Sequence, residues 1–162
     1  MYVQDYGRVY GLNTVVTRFG GIYGPHQYSY EDHGWISFIT DQVRRDVAFN
    51  RFGHGKQVRD VLHAEDVVSL YFKSVDKIDK IMGESFNIGG GINNSLSIIE
   101  LINLVKDLKN IEEIKFSFIK RRESDQDSFI ANINKAKLLL DWEPTISKEE
   151  GIKNMIKWIE SI

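Results

Sequence analysis

The chain has 162 residues, an apolar fraction of 42% and only 2 prolines, values that are typical of one globular domain. Its formal charge of −2 comes from interspersed acidic and basic residues, so nucleic acid is not an expected partner. The absence of cysteine excludes disulfides and cysteine-based sites. No apolar run reaches the roughly 18 residues of a membrane span, and no secretory pattern opens the chain, so we expect a soluble, cytoplasmic protein without a membrane partner.

The first predicted elements are the end of a helix and a buried strand. Residues 2–10 are predicted to be helical, with Gly11 as the stop signal. The β-branched run at 14–18 follows as a strand with apolar side chains on both faces, which is typical of a parallel strand covered by helices. An amphipathic helix is then predicted over 34–48, and the glycine-rich stretch after it is predicted to be a loop.

Strands and helices alternate along the rest of the chain. The predicted order is strand 57–63, helix from 64 to about 75, strand 85–88, helix from 98, strand 114–118 and helix from 148. The last two helices begin with Ser-x-x-Glu capping boxes, formed by Ser97 with Glu100 and by Ser147 with Glu150. This alternation predicts an α/β protein, and the lack of a flexible linker favours one folded unit over residues 1–162.

Two arginines are candidates for binding phosphate groups. A guanidinium group is planar and can donate two hydrogen bonds to phosphate oxygens. Arg59 follows a Gly-x-Gly turn and lies on a predicted strand, which would hold its side chain rigidly. The alternative for Arg59 is an ordinary surface pair with Asp60. Arg122 lies in the charged segment 121–125 (RRESD), for which the alternative is a solvated loop.

Other motifs in the sequence do not indicate a cofactor loop, a metal site or a hydrolase. Residues 87–91 (NIGGG) follow a predicted strand, but the next helix begins too late for a Gly-x-Gly-x-x-Gly phosphate loop. No Gly-x-Ser-x-Gly elbow occurs. No metal site is predicted, because the histidines lack ligand spacing; they are His26, His33, His54 and His63.

Several segments, taken in order, match a known pattern. They are residues 18–25 (RFGGIYGP), 53–60 (GHGKQVRD), 87–90 (NIGG) and 121–125 (RRESD). Together they resemble the C-terminal part of extended short-chain dehydrogenase/reductase proteins of the NAD-dependent epimerase/dehydratase family. Residues 33–35 (HGW) and 122–126 (RESDQ) favour the branch of this family that acts on CDP-linked sugars.

The resemblance implies a fold as well as a function. We expect the C-terminal part of a doubly wound Rossmann-type sheet, whose last strands lie at about 14–18 and 85–88, together with the smaller sugar-nucleotide-binding domain. The N-terminal dinucleotide-binding half would be absent. The apolar faces left open would then be covered by that half, supplied separately, or by self-association.

The reaction implied by the resemblance is an isomerisation in which NAD accepts a hydride from a sugar carbon and returns it to the opposite face. For the CDP-sugar branch the carbon is C2 of CDP-paratose. The alternatives are a UDP- or GDP-sugar 4-epimerase or dehydratase and, in a different class, a non-catalytic nucleotide-binding or interaction module. The family's Tyr-x-x-x-Lys pair does not occur in the chain, nor does the glycine-rich loop, so we expect no catalytic residue and no activity from the isolated chain.

The resemblance assigns binding roles to particular positions. Phe19 and Gly20 match contacts to the edge of the nicotinamide, and Gly21 matches a position near the substrate phosphate where relatives often have asparagine. Gln57 and Arg59 match nucleotide-diphosphate contacts. The other predicted substrate contacts are Asn94, Ser95 and Arg122. The expected ligands are NAD, for the parent enzyme, and a CDP-sugar or another nucleotide-sugar.

Overall fold

The computed structural model describes residues 2–30 and 34–162 of the chain. Within these residues, seven α-helices and eight strands alternate. The helices are α1 (Tyr2–Tyr10), α2 (Trp35–Arg44), α3 (Ala64–Asp76), α4 (Ile78–Ile81), α5 (Ile98–Lys109), α6 (Asn134–Leu140) and α7 (Lys148–Glu160). The strands are β1 (Val16–Phe19), β2 (Gly21–Tyr23), β3 (Phe49–Phe52), β4 (Val58–His63), β5 (Ser85–Ile88), β6 (Ser95–Ser97), β7 (Phe116–Ile119) and β8 (Ser128–Phe129). The predicted α/β class is confirmed.

The strands pair mostly in parallel. β1 pairs with β5, β2 with β4, β3 with β7 and β8 with β4, all in parallel orientation, whereas β6 runs antiparallel to β4. The β1–β5 pair corresponds to the two strands predicted at 14–18 and 85–88, although β1 begins two residues later than predicted. Parallel strands covered by helices are characteristic of α/β folds.

Strand β4 separates two apolar cores. Successive side chains of a strand point to opposite faces, so Val61 packs into one core and Leu62 into the other. The first core lies against α2, α5 and α7, and its fully buried members include Ile39, Leu101 and Ile152. The second lies between the β1–β5 pair and helices α3 and α6, and its fully buried members include Leu70, Phe86 and Leu140. The Asp60 and His63 side chains of β4 are buried within these layers.

Side chains cap the helices that pack on these cores. At α5 the predicted capping box is present: the Ser97 hydroxyl accepts a hydrogen bond from the Glu100 amide at 3.2 Å, and the Glu100 carboxylate accepts one from the Ser97 amide at 2.6 Å. At α7 the Ser147 hydroxyl accepts a bond from the Glu150 amide at 3.2 Å. Sequence patterns did not predict the cap of α3, where His63 Nδ1 accepts a bond from the Glu65 amide at 3.3 Å.

The structure of residues 34–55 differs from the prediction in one place and adds a strand. Helix α2 ends at Arg44 and not near residue 48, because the chain turns at Asp46, which has a φ of +50°. The glycine-rich residues 53–55 form the predicted loop, but residues 49–52 before them form the unpredicted strand β3, which pairs with β7. The partner strand lies more than 60 residues away in the chain, so no local pattern could indicate this pairing.

Candidate functional site

The predicted binding segments meet at the first half of β4. Gly20 lies against Asp60, because a Cβ atom placed on Gly20 would be 3.1 Å from Asp60 Oδ1. Gly21 pairs in parallel with the residue that follows Asp60. Ser95 lies opposite Asp60 on the antiparallel neighbour β6, and Arg59 precedes Asp60 on β4. The structure therefore brings together positions that are widely spaced in the sequence.

Asp60 links three segments of the chain through hydrogen bonds. Its side chain is fully buried, and its Oδ2 accepts hydrogen bonds from the Gly91 and Ala131 amides, each at 3.2 Å. These bonds attach the turn after β5 and the segment after β8 to β4. A surface pair between Arg59 and Asp60, the alternative considered from the sequence, is therefore wrong, since Asp60 faces the interior.

Arg59 and Gln57 share one carboxylate, that of Asp125. Arg59 Nη2 donates hydrogen bonds to Asp125 Oδ1 at 2.7 Å and to the Gln126 carbonyl at 2.9 Å. Gln57 Nε2 donates to Asp125 Oδ2 at 2.9 Å. Gln57 is buried, whereas the side chains of Arg59 and Asp125 are 26% and 24% exposed. The Arg59 and Asp125 side chains are therefore partly accessible to a ligand and partly desolvated.

Residues 121–127, here called the clasp segment, hold this carboxylate in place. Arg121 donates to the Asp125 carbonyl and forms an ion pair with Asp127 at 2.7 Å. The Val58 amide at the start of β4 donates to the Asp127 carbonyl at 2.9 Å. The clasp segment is thus an irregular, largely exposed loop, as the solvated-loop alternative expected, but it is attached to β4 through Asp125 and Asp127.

A glycine turn passes close to the same groups. Gly53 has a φ of +68°, and a Cβ atom at this position would lie 2.6 Å from Gln57 Nε2 and 3.3 Å from Arg121 Cγ. Only glycine adopts this conformation without strain and leaves room for both side chains. The turn at Gly53 therefore packs directly onto the Gln57 side chain.

Two further predicted contacts lie at the edges of this region. Phe19, at the end of β1, is half-buried and packs edge-on against Tyr71 of α3, with the ring centroids 6.3 Å apart. Arg122 is exposed on the clasp segment, next to the Arg121 that anchors it. Arg122 therefore lies within the clasp segment that contacts Arg59 through Asp125, and its role in binding stays a prediction.

Asn94 and Ser95 have structural contacts in the chain itself. Asn94 is buried; its Oδ1 accepts a bond from the Lys148 amide at 3.0 Å, and its Nδ2 donates to the Ile146 carbonyl at 3.1 Å. Ser95 Oγ donates to the Ile92 carbonyl at 2.8 Å. The Asn94 amide thus holds the start of α7, a role that the position of Asn94 after a glycine turn did not indicate.

Tyr23 has a perturbed pKa but is a poor candidate for a general base. Burial raises the pKa of its hydroxyl far above the ordinary value of 10.0, and the nearby carboxylates of Asp66 and Glu149 raise it further. A tyrosine that accepts protons near neutral pH needs a lowered pKa. Tyr23 therefore stays protonated and serves as a core side chain.

The described ranges, 2–30 and 34–162, contain neither a metal-ligand cluster nor a membrane-spanning helix. No group of three or more His, Asp or Glu side chains in these ranges could hold a metal ion. None of their helices is long and apolar enough to cross a bilayer. His33, one of the histidines considered from the sequence and part of the HGW segment, lies outside the described residues.

Comparison with known proteins gives consistent matches. Residues 1–89 match the NAD dependent epimerase/dehydratase family. The chain is 44% identical to CDP-paratose 2-epimerase of Salmonella typhi, a match that covers 99% of the chain and 49% of that protein. It is 32% identical to UDP-glucuronate 4-epimerase of Thermodesulfobacterium geofontis, over 94% of the chain and 45% of that protein.

Solved structures show the same relationship. The crystal structure of UDP-glucose 4-epimerase with UDP-glucose from Thermotoga maritima matches with a TM-score of 0.90 and 31% identity, over 99% of this chain and 50% of that one. UDP-glucuronic acid 4-epimerase from Bacillus cereus, in complex with UDP-glucuronic acid and NAD, matches with a TM-score of 0.86 and 25% identity, over 98% of this chain and 49% of that one. The chain spans about half the length of the curated relatives it matches.

Proposed function

The chain belongs to the NAD-dependent epimerase/dehydratase family, and on that basis we propose that residues 1–162 fold as one unit that binds the nucleotide-sugar in an NAD-dependent epimerase. The observation that carries this proposal is the constellation of Gln57 and Arg59 on the Asp125 carboxylate, attached to β4. The 44% identity to CDP-paratose 2-epimerase supports CDP-paratose as the substrate and C2 as the carbon that is epimerised to give CDP-tyvelose.

The diphosphate of the substrate would be bound by cationic and amide donors. Arg59 and Arg122 supply guanidinium groups on adjoining parts of the site, and Gln57 supplies a side-chain amide. Guanidinium groups suit phosphate oxygens because they donate hydrogen bonds in a fixed plane. Since Arg59 is about three-quarters buried, its attraction for an anion is screened less than that of a surface arginine.

Only part of an NAD site would be supplied by this chain. Phe19 is the last residue of β1, beside β5, and Gly20 follows it; ligands of open α/β sheets bind at such carboxyl ends. No Gly-x-Gly-x-x-Gly loop occurs in the sequence, so these residues fit the nicotinamide edge and not the pyrophosphate of NAD. Bound NAD supplies the hydride chemistry.

Proton transfer would require residues that this chain does not carry. The sequence contains no Tyr-x-x-x-Lys, and the raised pKa of Tyr23 keeps its hydroxyl protonated. We therefore infer that the chain binds and orients the nucleotide-sugar but does not epimerise it unaided. A cytoplasmic location accompanies this proposal, because nucleotide-sugars and NAD are cytoplasmic metabolites.

A second polypeptide surface would complete the site. In the described part of the chain β1 pairs only with β5, so its other edge is open. Next to it, α3 exposes an apolar stripe with helical spacing, made of Val68, Tyr71, Phe72 and Val75. We propose that a dinucleotide-binding half covers this edge and stripe, with self-association as the alternative when that half is missing.

Another nucleotide-sugar is the alternative substrate. The relatives include UDP-sugar 4-epimerases and dTDP-glucose 4,6-dehydratases, and their similarity extends over nearly the whole chain. A UDP-, dTDP- or GDP-sugar would use the same diphosphate donors, so the base decides between these substrates. A non-catalytic nucleotide-binding module would also bind the diphosphate but would not respond to a dinucleotide-binding half.

Calorimetric titration of the folded chain with CDP, UDP and NAD tests the proposal. We expect CDP to bind more tightly than UDP, and NAD to bind weakly or not at all. Arg59→Ala and Arg122→Ala should each weaken CDP binding by about 10-fold or more, the effect of losing roughly 1.4 kcal/mol. Arg44→Ala is the matched control, because Arg44 is also paired with an aspartate, at 2.8 Å, but lies on α2.

Two results of this titration would overturn the proposal. A chain that is folded by circular dichroism but binds none of the nucleotides would show that it has no autonomous nucleotide site. Equal weakening by Arg44→Ala and Arg59→Ala would show that binding follows overall charge and not the β4 site.

A further inference from the structure

One carboxylate joins the two side chains that the proposed site uses to bind diphosphate. Asp125 directs Oδ1 to Arg59 Nη2 at 2.7 Å and Oδ2 to Gln57 Nε2 at 2.9 Å. Each oxygen serves a different donor, so the carboxylate fixes the relative position of both. Asp125 is itself fixed through its backbone, because Arg121 donates a hydrogen bond to its carbonyl.

The hydrogen bonds of Arg59 leave part of its guanidinium available. A guanidinium has five N–H groups. Nη2 uses both of its hydrogens, on Asp125 Oδ1 and the Gln126 carbonyl, and Nη1 uses one on the Val58 carbonyl at 2.8 Å. Within the described residues these bonds account for three of the five N–H groups, which leaves the second Nη1 hydrogen and the Nε hydrogen. Arg59 is therefore anchored at one end while two N–H groups remain for a ligand.

We propose that Asp125 is a positioning residue of the diphosphate site, which orients Arg59 and Gln57 without itself binding the phosphates. This inference rests on the proposed function. Its physical basis is preorganisation: a guanidinium held in one rotamer loses less conformational entropy when an anion binds. Asp125 also keeps the positive charge of Arg59 paired while that side chain is about three-quarters buried.

The opposite role makes the opposite prediction. If Asp125 were an internal competitor that occupies the donors meant for phosphate, removing its charge would strengthen diphosphate binding. If it is a positioning residue, removing its charge weakens binding. The sign of the change in affinity therefore distinguishes the two roles.

Asp125→Asn is the informative substitution. It keeps the size of the side chain but turns one of the two oxygens into an NH2 group, which cannot accept a bond from Arg59 or Gln57. One of the two contacts must then break. We expect the affinity for CDP, measured by calorimetry, to fall by about 10-fold, the effect of losing one charge-assisted hydrogen bond.

Asp141→Asn is the matched control. Asp141 carries the same charge as Asp125, but it lies at the end of α6, pairs with Lys73 at 3.4 Å, and its side chain is 83% exposed. If long-range electrostatics caused the effect, both substitutions would change CDP affinity alike. The positioning role predicts that Asp141→Asn leaves the affinity within about 2-fold of the wild type, as expected for an exposed ion pair.

Coupling to Arg59 separates positioning from a general structural role. Arg59→Lys keeps the charge but has no planar fork for Asp125 to orient. We expect Asp125→Asn to weaken CDP binding much less in the Arg59→Lys background than in the wild type. Should Asp125→Asn unfold the chain, Asp125→Glu provides a second test, because it keeps the charge but moves the carboxylate by one methylene.

The outcomes are distinguishable. The positioning role would be overturned if the wild type binds CDP and Asp125→Asn binds it equally or more tightly. It would also be overturned if Asp125→Asn lowers CDP affinity equally with Arg59 and with Lys at position 59. Either result would leave the proposed function standing. Absence of CDP binding by the folded wild-type chain would overturn both. Weakening by Asp125→Asn alone, dependent on Arg59, supports both.

Discussion

Arg59 and Asp125 lie 66 residues apart in the chain and form an ion pair of 2.7 Å. The pair attaches the clasp segment to β4 at the place where the predicted binding segments meet. Because both side chains are about three-quarters buried, the pair is screened less than an exposed one and is tied to the geometry of the fold. The candidate site is therefore a product of tertiary structure.

The buried carboxylate of Asp60 is expected to stabilise the fold more than any exposed aspartate. Asp60→Ala removes the acceptor of two buried amides, those of Gly91 and Ala131, and should lower the free energy of unfolding by about 2–4 kcal/mol. Asp60→Asn should cost less, because one oxygen remains for both amides. Urea denaturation monitored by circular dichroism measures both. A loss below about 0.5 kcal/mol for Asp60→Ala, the scatter of ordinary surface substitutions, would contradict this role.

Gly53 is expected to be required for two separable reasons. Gly53→Ala adds strain at a φ of +68° and places a Cβ atom 2.6 Å from Gln57 Nε2. Gly83→Ala is the matched control, because Gly83 has a φ of +79° but no atom within 4 Å of such a Cβ. We expect about 1 kcal/mol of destabilisation for Gly83→Ala and a larger loss for Gly53→Ala. Only Gly53→Ala should weaken CDP binding; equal effects on binding would show that the close approach to Gln57 is unimportant.

The capping box of α5 should give a measurable pH dependence. Hydrogen bonds with Ser97 lower the pKa of Glu100 below its ordinary value of 4.5. The bond with the Ser97 backbone has the larger effect, and the bond with the Ser97 side chain has the smaller one. A carboxyl group with a lowered folded-state pKa stabilises the fold above its unfolded pKa, and this stabilisation is lost as the pH falls through the folded value. The stability difference between the wild type and Glu100→Gln should thus be full at neutral pH and shrink below pH 4.5. Equal differences at pH 7 and pH 3 in urea titrations would count against it.

The apolar stripe of α3 is expected to cause self-association of the isolated chain. Val68, Tyr71, Phe72 and Val75 are each more than half exposed and lie on one face of the helix. The double substitution Phe72→Lys and Val75→Lys should reduce association in sedimentation equilibrium. Leu138→Lys is the control, because Leu138 is 82% exposed but lies on α6. If the wild-type chain is monomeric at all concentrations, the apolar stripe of α3 does not cause self-association.

Local patterns predicted the elements whose signals are short-range. The capping box of Ser97 and Glu100 and the strand at 85–88 depend on neighbours within a few residues, and the structure confirms both. The predicted strand at 57–63 is also present as β4. These features needed no knowledge of the tertiary fold.

Features that depend on distant partners could not be predicted in this way. Strand β3 exists because β7 pairs with it, and the side chain of Asp60 is buried because amides from two later segments reach it. Asp125 was visible only as one charge among several in residues 121–125. Its link to Gln57 and Arg59 required the folded chain.

The most direct test of the account is nuclear magnetic resonance mapping of CDP on the 15N-labelled chain. CDP should shift the amide signals of β4 and the clasp segment, together with the side-chain signals of Gln57 and Arg59, and Asp125→Asn should weaken these shifts. Shifts confined to the cavity of about 370 Å³ between α1 and residues 82–84 would contradict this prediction, because that cavity is lined by none of the proposed site residues.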